Sequence, residues 1–92
     1  MLFFPRVPTL STFFGITIRM YYDDHAPPHF HAYYAEDSVQ IAIESLEVLR
    51  GQLPRRALAL VVEWALARRP EIRANWERAM RHEPLAPIEP LD

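Results

Sequence analysis

From Gly15 the chain alternates, with Ile16, Ile18, Met20 and Tyr22 on one side and Thr17, Arg19 and Tyr21 on the other. This period of two predicts a strand covered on one face only. A proline turn follows, after which Phe30, Ala32 and Tyr34 alternate with His29, His31 and Tyr33. Beyond Glu36-Asp37, Val39, Ile41 and Ile43 alternate with Ser38, Gln40, Ala42 and Glu44. These are the second and third expected strands. The Ala35 to Ser38 connection suits a hairpin, and a short fourth strand around Leu46 to Leu49 fits before Gly51 breaks the run.

The period then lengthens to that of a helix. Pro54 suits a first helical position, and Leu58, Val61, Val62, Ala65 and Leu66 form a wide apolar stripe flanked by Ala57 and Trp64. That stripe predicts a largely buried helix. Pro70 disfavours helical geometry at Arg69, so it either starts a second helix or kinks a single long one. Past it, Ile72, Trp76, Ala79 and Met80 share a face, leaving Arg73, Glu77, Arg78 and Arg81 outside. In the tail, Pro84, Pro87 and Pro90 recur every third residue with Leu85, Ile88 and Leu91 in matching register. A polyproline II helix has three residues per turn, so one apolar edge results; docking on the chain's own core is expected over capture by a partner.

The expected fold is therefore α+β: a three- or four-stranded antiparallel sheet followed by one or two C-terminal helices packed on one face. Ninety-two residues, half of them apolar, suffice for one domain and one core. Residues 1–7 read as an N-terminal extension and 84–92 as a proline-rich docking tail. A chain of this size buries only roughly two thirds of its unfolded surface, so association with a partner or a second copy is a reasonable expectation.

Strand parity divides the sheet residues into two sets. Ile16, Ile18, Met20, Phe30, Ala32, Val39, Ile41 and Ile43 form an aliphatic face for helices to cover. Arg19, Tyr21, His29, His31, Tyr33 and Gln40 share the opposite face, because successive strand side chains point to opposite sides. His29 and His31 then stand parallel, with Cβ atoms roughly 7 Å apart, and His25 arrives from a loop stiffened by Pro27 and Pro28.

Three readings of this face follow. In the first, His29 and His31, with His25 or a carboxylate of Asp23 or Asp24, ligate a zinc-like ion and leave one position open. In the second, His29 and His31 act as acid and base, with Arg19 or a tyrosine stabilising charge on a phosphodiester. In the third, which carries the most weight, the histidines are hydrogen bonded to Asp23, Asp24 or backbone, and the surface of Tyr21, His25, Tyr33 and Gln40 binds a protein or nucleic acid. Trp64 and Trp76 are expected in the core, His82 in a structural role near a helix end, and the hydroxyls of Thr9, Ser11 and Thr12 in no nucleophilic role.

Charge adds little. The net charge is −2, but residues 1–49 hold six acids and two arginines, whereas residues 50–83 hold four acids and eight arginines. Every basic residue of the Lys and Arg class is arginine, which genome composition explains most simply. With no cysteine, there is no disulfide framework and no thiolate ligand or nucleophile, and a cytoplasmic protein is expected. Pro5, Arg6 and Pro8 interrupt the apolar start, which argues against a signal peptide, and the run "ALALVV" is far too short to span a bilayer.

The run "PTLSTFFGITIRMYYDDHAPPHFHAYYAE", followed by "LPRRALALVVEWA", "NWERA" and "PLAPIEPLD", resembles the bacterial family known as domain of unknown function 4160. The likeness covers residues 8–92, with "DHAPPHFHAYY" its most specific part. The family has no established activity. Its genes often lie beside another small uncharacterised family, and the resemblance thus implies a component of a toxin-antitoxin-like two-gene module that binds a protein partner; RNA is the further candidate ligand of the same sheet face. The rival is a small hydrolase, metal-dependent or nuclease-like, built on His25, His29 and His31. Those histidines, with Pro27, Pro28 and Phe30, carry over as motif residues without assigned roles.

Overall fold

The computed structural model describes residues 8–92; the expected N-terminal extension, residues 1–7, lies outside them. Five antiparallel strands run in simple sequence order across one sheet: β1 (Thr9–Phe13), β2 (Ile16–Arg19), β3 (His29–Tyr34), β4 (Asp37–Ala42) and β5 (Val48–Gly51). One helix, α1 (Arg55–Met80), follows. The α+β class holds, with a fifth strand, β1, at the sheet's leading edge. Its burial does not alternate cleanly, because the register with β2 shifts between Thr9 and Ser11, leaving Leu10 and Ser11 both buried. A bulge of this kind erases the period that announces a strand. Phe14 and Gly15 link β1 to β2 in a two-residue turn, both with positive φ (50° and 79°), as a type I′ hairpin turn requires.

The aliphatic face is buried as a set: Ile16, Ile18, Met20, Phe30, Ala32, Val39, Ile41 and Ile43 are all at most 2% exposed. Helix α1 supplies Ala57, Val61, Trp64, Ala65, Ile72, Trp76 and Ala79 to the same core, and Trp64 lies against the rings of Phe13 and Phe30. Each fully buried aliphatic side chain contributes roughly 1.5 to 3 kcal/mol. A surface ion pair contributes roughly 0 to 1, so this layer is what holds helix to sheet.

The structure corrects one helix expectation and decides between the two alternatives at Pro70. The buried stripe is rotated from the expected one: Leu58 and Val62 are only partly buried, and Leu66 is 59% exposed. The helix also runs unbroken through Pro70. Proline lacks an N–H, so the Leu66 carbonyl loses its helical donor, and Leu66 sits where water reaches it. Beyond Pro70, burial of Ile72, Asn75, Trp76 and Ala79, with the Arg69 Nε donating to the Ile43 carbonyl at 3.0 Å, carries the helix onward. At 26 residues it is about 39 Å long and sets the 41 Å long dimension.

The tail lies back along the domain. Ile88 is buried and its amide donates to the Leu10 carbonyl of β1 at 2.8 Å. Trp64 Nε1 donates to the Glu89 carbonyl, and the buried Asn75 side chain both donates to and accepts from the backbone of Ala86, each at 2.8 Å. Asn75 thus gives the proline-rich segment the backbone partners that it cannot find within itself. No described helix is long and apolar enough to cross a membrane.

Candidate functional site

Pairing register builds the site. Arg19 on β2 faces His31 on β3, His31 faces Gln40 on β4, and Gln40 faces Arg50 on β5. Directly paired residues point to the same side of a sheet, so Arg19, His31, Gln40 and Arg50 form one row across four strands. At about 4.8 Å per strand, the two arginine backbones stand roughly 14 Å apart. Tyr33, two residues on from His31, shares the face. Its ring stacks on that of His31 at 6.4 Å and lies under the Arg19 guanidinium at 5.2 Å. Tyr21 and Tyr33 share a hydroxyl-to-hydroxyl hydrogen bond, and Tyr21 meets His31 edge-on at 4.6 Å. Burial, the Tyr21 hydroxyl and the Tyr21 charge push the Tyr33 pKa up to about 12, so its proton stays on at neutral pH. The bend around Pro27 and Pro28, in which the Ala26-Pro27 bond is cis, brings Asp24 back over β3.

Asp24 gathers the histidine cluster. Its Oδ2 accepts from His31 Nε2 at 3.0 Å, and its Oδ1 accepts from the His25 backbone amide at 2.8 Å. His29 Nε2 also stands 3.0 Å from the same Oδ2, but it does not approach along a hydrogen-bond direction, and this buried nitrogen has no hydrogen-bond partner among the described residues. The other His29 nitrogen, Nδ1, lies 2.8 Å from the Pro27 carbonyl. A carbonyl only accepts, so Nδ1 carries the proton. His29 and His31 have ring centroids 5.1 Å apart, and the Trp76 ring lies 5.4 Å from His29. Burial tends to raise the Asp24 pKa, but the His31 hydrogen bond, the His25 amide and the two imidazole charges outweigh it and hold the carboxyl below its usual range. Burial pushes His31 below the ordinary histidine value, against the opposing pull of Asp24.

The expected site residues are thus only partly brought together. Arg19, Tyr21, His31, Tyr33 and Gln40 share the polar face. His29 is on the same side of β3 but is 4% exposed, so the expectation of an open surface at that position is corrected: the turn and Trp76 cover it. His25 has an exposed side chain outside the cluster; the ligand atoms that lie within 4.8 Å of one another belong to Asp24, His29 and His31. That set suits a transition-metal ion or a shared proton. Neither His29 nitrogen faces solvent, which leaves His31 as the accessible imidazole for proton transfer. Asp23 pairs instead with His82 at 2.9 Å, on the surface. Arg50 was missed as a face residue; a strand carried through to Gly51 is the signal that finds it. His31, Gln40 and Arg50 also line, with Ser38, Val39 and Gly51, an open cavity of about 300 Å³. A second cavity, of about 200 Å³ between Phe14, Ile16, Tyr34, Ala57 and Leu60, shares no residue with the cluster.

Fold and site define the chain as a small α+β domain, a five-stranded meander backed by one helix, with an Asp-His-His cluster at one end of its polar face. It belongs to the family described as Domain of unknown function (DUF4160), whose model matches residues 15–77. The match opens at the turn before β2 and closes near the end of α1, so β1 and the proline-rich tail lie outside it. Comparison with curated proteins and with solved structures gave no match.

Proposed function

We propose that this chain is the binding component of a toxin-antitoxin-like two-gene module, and that the polar face of its sheet receives a protein partner bearing acidic side chains. The observation that carries this reading is the cross-strand row Arg19, His31, Gln40, Arg50. It offers two guanidinium groups, an amide and an imidazole on a rigid strand scaffold, beside two tyrosines. Arginine and tyrosine are the residue types that anchor interfaces. Most helix arginines fit this role less well, because they are already engaged: Arg73 with Glu44, Arg68 with Glu71, Arg78 with Asn75 and Arg69 with the Ile43 carbonyl. The Arg50 guanidinium makes no ion pair among the described residues. The two-gene arrangement itself comes from the family resemblance, and a cytoplasmic setting goes with it.

Coexpression with the neighbouring gene product tests the reading. The pair is expected to copurify, with an Arg19→Ala, Arg50→Ala double variant at least about tenfold weaker and an Arg55→Ala, Arg56→Ala variant unchanged. Failure to copurify, or equal binding by both variants, would refute it. Single-stranded RNA added to the same preparations separates the remaining readings. Retention without cleavage makes RNA the ligand of the face, whereas metal-dependent cleavage lost in Asp24→Asn replaces the binding component with a hydrolase.

A further inference from the structure

We propose that Asp24 Oδ2, His29 Nε2 and His31 Nε2 form a three-ligand site for a zinc-like divalent transition ion. The inference stands apart from the partner-binding reading, since metal uptake requires no second protein.

His29 Nδ1 donates to the Pro27 carbonyl at 2.8 Å, so in the neutral ring Nε2 carries a lone pair and no hydrogen. That lone pair meets no donor among the described residues, while a carboxylate oxygen, itself only an acceptor, stands 3.0 Å away off the hydrogen-bond direction; two acceptors this close repel unless they share a cation. The nitrogen is buried and has no hydrogen-bond partner among the described residues, in a residue only 4% exposed. An orphaned buried acceptor of this kind costs roughly 1 to 3 kcal/mol, and a metal ion or an added proton removes that cost.

Three features favour the metal. The carboxylate oxygen lies 3.0 Å from the Nε2 of both imidazoles, close to the roughly 3.3 Å between neighbouring ligands around a tetrahedral ion with bonds of about 2.0 to 2.1 Å. The Pro27 carbonyl already supplies what metal-bound histidines usually have, an acceptor for the far N–H that fixes tautomer and ring orientation. Two nitrogens and one oxygen suit zinc, cobalt or nickel rather than calcium or magnesium, which take oxygen ligands. Metal binding replaces the His31 Nε2–H to Asp24 hydrogen bond, the neutral His31 ring then carrying its hydrogen on Nδ1; three protein ligands leave a fourth position for water or an anion. His31 also borders the cavity shared with Gln40 and Arg50.

The competing arrangement is a doubly protonated His29 paired with Asp24, and metal titration distinguishes the two. The untagged full chain is stripped with a chelator, then titrated near neutral pH with zinc and, for its visible spectrum, with divalent cobalt. Wild type and His25→Ala are expected to bind one ion per chain, with cobalt giving the intense absorption of a tetrahedral site. Asp24→Asn and His31→Ala are expected to bind at least about tenfold more weakly, and zinc should raise the melting temperature of wild type but not of Asp24→Asn. Because His29→Ala opens a gap against Trp76, the partly exposed Asp24 and His31 carry the test, with circular dichroism confirming that each variant folds. The proposal is overturned if wild type takes up no ion, if Asp24→Asn and His31→Ala bind as wild type does, or if His25→Ala abolishes uptake.

Discussion

A single carboxylate, Asp24, organises the chemistry at the residue scale by meeting two imidazoles and a backbone amide. Its lowered pKa means that the fold favours the ionised form. The resulting stability is complete above the ordinary value of 3.8 and is lost as pH falls through the lower folded value. His31 is also depressed, so the fold favours its neutral ring; that contribution is complete above 6.5 and fades as pH falls below it. Both groups therefore weaken the fold on acidification, in two separate windows. Thermal melts across pH in metal-free buffer should show a decline that begins just below neutrality and is flattened in His31→Asn, with a second decline below pH of about 4 that is flattened in Asp24→Asn. Identical profiles for the variants and wild type would contradict these assignments.

At the element scale, Gly51 shows how tightly β5 is set against β4. Its φ is +80°, and a Cβ there would lie 2.2 Å from the Ser38 carbonyl oxygen, a backbone atom that cannot step aside cheaply. Gly51→Ala should cost about 2 kcal/mol or more, lowering the melting temperature by roughly 10 °C; a change of under about 2 °C would mean the strands separate more readily than the structure implies. The elements differ in how openly the sequence declares them. Strands β2, β3 and β4 were legible because alternation records a sheet covered on one side, and the same parity placed His29 and His31 together. β1 was hidden by its bulge at Thr9 to Ser11. Pro70 left one helix or two undecided because local preference opposes a helix there, while the packing of Ile72 and Trp76 that overrides it is tertiary. Tertiary packing also explains His29, whose cover by Trp76 depends on how the helix crosses the sheet, and the choice of Asp24 over His25, which depends on the path of the proline turn.

Across the whole molecule, the two sides of the sheet present different chemistry. One face holds the aliphatic layer against α1; the other presents Arg19, His31, Tyr33, Gln40 and Arg50, while most helix arginines are spent on internal contacts. The sharpest test of that division is a titration of the isotopically labelled chain with the neighbouring gene product, followed by backbone amide shifts. The largest perturbations should fall on Arg19, His31, Tyr33, Gln40 and Arg50. Perturbations concentrated instead on Leu58, Val62 and Leu66, along the outer side of the helix, would contradict the assignment of the polar face as the binding surface.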